Sequence, residues 1–177
     1  CDLVLKLSSI PANFYDVLDP SVVHVGSIQA GVQGNIFPET ALIKCGARYF
    51  RAEGYEKTIA LVRRMADGVA TAYGVEAEVV EKGGTPPVVN HHNPVIRARH
   101  IVKDVEGLEL NASTEPICAS DNFADYLLKY PGFYGFLGGM RKGEPSWPHH
   151  HCKFDIDESA LRKGCEFLTK YTLAFLR

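Results

Sequence analysis

The sequence predicts an α/β protein organised as two lobes, and three observations carry that reading. Two alternating, β-branched segments flank a Gly- and Pro-marked loop between residues 21 and 50, and a run of helical periodicity follows them. The composition then changes at Gly83-Gly84, where a Pro-Pro connector begins.

The opening CDLVLKLSSI has the pattern of an amphipathic helix tail. No capping signal and no initiator Met stand ahead of it, so the functional unit is expected to be larger than these 177 residues. SVVHVGSIQAG, residues 21–31, alternates and reads as a strand. Gly31, Gly34 and Pro38 mark a loop around Asn35. From Thr40 to Phe50 the alternation resumes, with Ile43, Cys45, Ala47 and Tyr49 on one face and Lys44 and Arg48 on the other. This predicts a second strand antiparallel to the first. Ile59, Val62, Met65, Ala66, Val69 and Tyr73 recur at helical spacing, and Gly74 supplies the stop. Residues 76–82, EAEVVEK, alternate again and predict a third strand. The order strand, strand, helix, strand suits an open-faced α/β sandwich, which an upstream strand and helix would complete.

Past Gly84, Pro86 and Pro87 impose an extended connector, and a lobe boundary is placed there. Residues 93–103 predict a short helix. Ser120 reads as the N-cap of a helix running through Phe123, Tyr126 and Leu127. Residues 133–137 predict a short strand, and Gly138-Gly139 opens a long loop. The final helix has capping-box spacing at Asp155 and Glu158, with an apolar stripe of Leu161, Cys165, Leu168, Thr172 and Leu176.

The composition, 46% hydrophobic and 23% charged, fits a soluble globular chain. A net charge of -2 with no basic stretch argues against a nucleic-acid partner. No apolar run approaches a membrane span. The five cysteines are scattered without a CxxC pair, which suits reduced thiols in a cytoplasm better than a disulfide framework.

His149, His150 and His151 stand between Pro148 and the final helix, and neutral imidazole is a common metal ligand. On an extended segment His149 and His151 would share one face and His150 would point the other way. A surface loop is the plain alternative. His91 and His92 read as turn residues, and His24 as a packing or edge residue. Asn35 could bind a carboxylate or carbonyl, or stabilise its own turn. Arg48 could bind a carboxylate bidentately, or lie on a solvated sheet face. Asp121 and Asn122 have helix capping as their default role, although a carboxylate there could orient a metal-bound histidine.

Singly these signals are weak, but their order is informative: SVVHVGSIQAG, GNIFP, CGARYF, GGTPPVVN, ASDNFADYL, then PHHHCKFDIDE. In that order the chain resembles the amidohydrolase branch of the dinuclear metallopeptidase family. That branch includes hippurate hydrolases, N-acyl-amino-acid deacylases and indole-acetyl-amino-acid hydrolases. Members look like GxxxNVIP, GTxR, PPxVN, SEDFxxY and LHxPxFDFxDE in the corresponding places. The resemblance covers almost the whole chain, and the closing motif is its most specific part.

The resemblance implies a catalytic domain holding two divalent metals, zinc or manganese, interrupted by a lid that mediates dimerisation. Residues 1–83 would be the second half of that lid, an α/β sandwich. Residues 84–177 would be the C-terminal half of an α/β metallo-hydrolase domain. His150 falls on the terminal metal-ligating histidine, and Asn35 and Arg48 fall on lid positions that hold the substrate and its carboxylate. Cys45 and Gly46 depart from the Gly and Thr of GTxR, and Asp121 and Asn122 stand where the family has Glu and Asp. The family's other metal ligands and its general base lie in motifs this chain does not contain. By itself the chain is therefore expected to bind no metal and to be inactive. The full-length protein is expected to be a homodimer that hydrolyses the amide of N-acyl amino acids or small peptides. The rival expectations are a non-catalytic dimerisation or interaction module, and a small regulatory domain with a mononuclear site at residues 149–151.

Overall fold

The computed structural model describes residues 1–112, 115–141 and 143–177. It is a mixed α/β structure that divides into two units. One comprises Cys1–Pro87 with Pro116–Asn122, the other Val88–Glu115 with Phe123–Arg177.

The first unit is built on helix α1 (Asp2–Phe14), strands β1 (Val22–Ala30) and β2 (Ala41–Arg48), and helix α2 (Gly54–Tyr73). The strands pair antiparallel from Val22↔Arg48 to Ala30↔Ala41, as their alternation predicts, with a bulge between Val25 and Ser27. Gly26, which has no Cβ to place, is the extra residue there. Leu7 and Ile10 of α1 and Leu61 and Val62 of α2 bury against Val23, with Val25, Ile43 and Ala47 partly buried around them. Those strand residues share one face, because side chains alternate across a strand. The opposite face carries His24, Gly46 and Arg48.

Tyr15 adds a polar tie, its hydroxyl 2.6 Å from Thr58 Oγ1, whose own proton goes to the Gly54 carbonyl at 2.6 Å. Helix α2 ends where predicted, at Gly74 in the left-handed conformation (φ 66°), with the Val75 N–H on the Ala70 carbonyl.

The third strand expected over residues 76–82 does not form. Alternation makes a strand only where a neighbour takes its backbone groups, and the sheet among the described residues is the β1–β2 pair. Val79 instead lies against the core, and Glu81 accepts the Tyr55 hydroxyl at 2.5 Å and pairs with Arg63.

The second unit holds α3 (His92–Val102), α4 (Phe123–Leu127) and α5 (Ser159–Phe175). Its buried residues are Ala98, Ile101, Val105, Ala124, Leu127 and Ala160, with Pro94 at the start of α3. Phe133 packs on Phe167 and Tyr171 of α5, with ring centroids 6.1 and 5.0 Å away. Lys163 and Lys170 donate to the carbonyls of Gly107 and Asp104, in the turns that follow α3.

Residues 133–137 do not form a strand, and the backbone of Tyr134 meets the Asn90 side chain instead of a neighbouring strand. Helix α4 begins at Phe123, three residues beyond Ser120. Helix α5 begins at Ser159, and the capping carboxylate is neither Asp155 nor Glu158 but Asp157, whose Oδ1 accepts the Ser159 N–H at 2.9 Å. Hydrogen bonds from Ser159 hold the Asp157 carboxyl below its ordinary pKa. The apolar stripe of α5 faces outward, with Leu161 56% and Leu168 62% exposed. The packed side is set by Ala160, Phe167 and Tyr171. No helix among the described residues is long and apolar enough to cross a membrane.

Candidate functional site

The histidine run lies in a loop whose ends are tied together. The Asp157 N–H donates to the Gly139 carbonyl at 2.7 Å, and Arg141 pairs with Asp155 at 3.0 Å. Inside the loop the histidines are not extended. The His151 N–H reaches back to the Pro148 carbonyl at 3.1 Å, so residues 148–151 form a tight turn. His150 is at its centre with φ 71°, the single non-glycine residue at positive φ among the described residues. A left-handed conformation costs an L-residue about 1–2 kcal/mol, so the surrounding contacts must fix it.

Those contacts fall on the two flanking histidines. The His151 ring lies nearly parallel to Trp147, with centroids 4.3 Å apart and 12° between planes. His151 Nδ1 accepts the Lys153 N–H at 3.1 Å, which puts the proton of the neutral ring on Nε2. The His149 ring lies 4.9 Å from Phe154. His150 is exposed, and among the described residues it has no hydrogen bond, ion pair or ring contact. The turn thus sets His150 apart from both neighbours, as an extended segment would also have done, but by a folded backbone rather than by alternation.

As a metal ligand, His150 supplies one imidazole. Among the described residues no three His, Cys, Asp or Glu side chains come together in a group that could hold a metal ion. The loop offers one free imidazole, so a metal held there would need its other donors from elsewhere.

The remaining predicted site residues lie in the first unit. Asn35 is exposed in the loop between β1 and β2. The turn there is closed by the Ile36 N–H on the Gln33 carbonyl at 3.4 Å, and the Asn35 carboxamide makes no hydrogen bond among the described residues. Its side chain does not stabilise its own turn. Arg48 ends β2, exposed and without an ion pair among the described residues. Strand β2 separates the two, and the structure does not bring them into contact. Asp121 is part-buried and Asn122 exposed, immediately ahead of α4.

The departure at Gly46 has a local cause. His24 is its cross-strand partner, and a Cβ on Gly46 would come within 2.7 Å of the His24 ring. The ring lies across the position where a threonine side chain would begin, on the face that carries Arg48.

Two residues that the sequence places in the connector and a turn tie the second unit's backbone together. Asn90 donates to the Tyr134 carbonyl at 2.9 Å and accepts the Tyr134 N–H at 2.7 Å, a side chain filling the role of a strand neighbour. His91 does the same at Gly132, donating its backbone N–H at 3.0 Å and accepting at Nδ1 at 3.2 Å. Asn90 closes the Pro-Pro connector, where an amide that can both donate and accept was the available signal.

Comparison with known proteins gives a family match and several relatives. A family model described as peptidase family M20/M25/M40 matches residues 7–174. The chain is 28% identical over 156 residues to thermostable carboxypeptidase 2 of Saccharolobus solfataricus, covering 88% of this chain and 39% of that protein. It is 27% identical over 174 residues to N-acetylcysteine deacetylase of Bacillus subtilis, covering 98% of this chain and 44% of that protein. With N-acetyldiaminopimelate deacetylase of a Geobacillus species the identity is 28% over 171 residues, covering 97% and 44%. A crystal structure from methicillin-resistant Staphylococcus aureus superposes with a TM-score of 0.87 at 22% identity, over 99% of this chain and 45% of that one. A Bacillus subtilis structure described as a dinuclear metal binding peptidase superposes with a TM-score of 0.78 at 26% identity, over 99% and 44%. The chain therefore spans less than half the length of each of these relatives.

Proposed function

The chain belongs to the peptidase family M20/M25/M40, and from that membership we propose that the protein hydrolyses the amide bond of N-acyl amino acids or small peptides. Relatives named as deacetylases and as carboxypeptidases support amide hydrolysis. In this reading residues 1–83 are the second half of a lid through which two copies pair, and residues 84–177 are the C-terminal part of the catalytic domain. The protein works in the cytoplasm, in keeping with cysteines that are all unpaired.

The observation that carries the reading is His150, an exposed imidazole held in a left-handed turn with no other partner among the described residues. Two divalent ions, zinc or manganese, supply Lewis-acid polarisation of the scissile carbonyl and acidification of water when bound. This chain contributes His150 as a ligand through its neutral imidazole. Arg48 receives the substrate carboxylate in a bidentate pair, and the Asn35 carboxamide holds a second polar group of the substrate. Asp121 and Asn122 orient a metal-bound histidine by hydrogen bonding.

The test uses the full-length protein, its metal content measured by elemental analysis and its activity against a panel of N-acyl amino acids and dipeptides. About two metals per protomer and hydrolysis of at least one substrate class are expected. Arg48→Ala should raise KM about 10- to 100-fold, the worth of a charge-assisted hydrogen bond. A fully metal-loaded protein that cleaves nothing in the panel overturns the reading.

A further inference from the structure

We infer that Trp147 and His151 are positioning residues, a stacked brace that holds His150 in its ligand-ready conformation and so sets metal affinity. The inference rests on the reading of His150 as a metal ligand.

An exposed residue with no contacts of its own takes its backbone conformation from its neighbours. His150 has φ 71°, a region that non-glycine residues visit rarely, so a free loop would spend most of its time elsewhere. The geometry that opposes this is local. Trp147 and His151, which flank residues 148–150, stack at 4.3 Å, and the Lys153 ammonium lies 5.2 Å from the Trp147 ring. The Lys153 N–H on His151 Nδ1 fixes how the second ring is turned. On the near side the His149 ring is taken up by Phe154. Each histidine flanking His150 is thus occupied by an aromatic partner, which leaves the middle one to face outward. Metal binding to a loop that is competent for only part of the time is weakened by that fraction. A brace that raises the fraction tightens binding without touching the metal.

The experiment measures zinc and manganese dissociation constants of the full-length protein by competition with a chromophoric chelator. Trp147→Ala should weaken binding about tenfold or more, the usual cost of removing a residue that orients a ligand. Trp147→Phe keeps a flat ring for His151 and should restore most of the affinity. Activity lost in Trp147→Ala should return as metal is raised, whereas activity lost in His150→Ala should not. His151→Ala removes the other ring and keeps the test decisive should Trp147→Ala fail to fold. Weakened binding in His150→Ala beside unchanged binding in both brace variants overturns this inference alone. Unchanged binding in His150→Ala overturns the ligand assignment, and the brace with it.

Discussion

The two units are held together by different physics. The first buries a contiguous apolar cluster, Leu7, Ile10, Val23, Leu61 and Val62, beneath a hydrogen-bonded strand pair. In the second, three of the six buried apolar residues outside Pro94 are alanines (Ala98, Ala124 and Ala160), and no strand forms among the described residues. Its long segments are secured by side chains reaching backbone: Asn90 to Tyr134, His91 to Gly132, Lys163 to Gly107 and Lys170 to Asp104. Large apolar side chains such as Phe136, Leu168 and Phe175 stay outside. A unit that relies on area burial should be most sensitive to lost volume. One that relies on polar ties should be most sensitive to lost donors and acceptors.

The sharpest way to break this contrast is a matched pair of truncations. Ile10 is fully buried, so Ile10→Ala should destabilise the protein by about 2–5 kcal/mol, through lost transfer energy and a cavity. Leu161, 56% exposed on α5, should cost within about 0.5 kcal/mol when changed to alanine. Urea unfolding of the two variants measures both. Equal losses would show that the outward stripe of α5 is covered in the whole protein and would remove the contrast.

The next effect is smaller and belongs to the second unit. Asn90→Ala removes two hydrogen bonds at an exposed position, and a net loss of about 1 kcal/mol is expected. Amide exchange should localise it, with the Tyr134 N–H exchanging faster while the amides of the β1–β2 ladder keep their protection. If both regions loosened together, the units would be responding as one body.

The same contrast explains what could be read from the sequence. Elements of the first unit were legible because their signals are local and periodic: the alternation of residues 21–31 and 40–50, the helical spacing from Ile59 to Tyr73, and the Gly74 stop. Residues 76–82 and 133–137 misled for one reason. A local pattern reports an extended segment, whereas a strand also needs a partner, and nothing local says that none will lie beside residues 76–82 or that Asn90 will take the Tyr134 backbone. The α5 stripe was legible as a stripe but not as an outward face, because periodicity does not say which side will be covered. At the candidate site the motif order singled out Asn35, Arg48 and His150. The left-handed turn at His150 and the Trp147–His151 stack that flanks it depend on chain geometry with no sequence period.

The smallest effect tests where α5 begins. Asp157 accepts hydrogen bonds from Ser159, and these favour its charged form and lower its pKa below the ordinary aspartate value. A carboxyl whose pKa is lower when folded contributes its full stabilisation above the unfolded-state value. That contribution fades as pH falls through the folded-state value, because the unfolded chain takes up the proton first. Asp157→Asn should therefore lower the melting temperature slightly at neutral pH, and the gap to the unaltered protein should close as the solution is acidified below about pH 4. Substituting Asp155, which caps only the adjacent Ile156 N–H and pairs with Arg141, should leave the start of α5 unchanged. Were Asp155→Asn to fray the first turn of α5 and Asp157→Asn to leave it intact, the capping box read from the sequence would be correct and the assignment of Asp157 wrong.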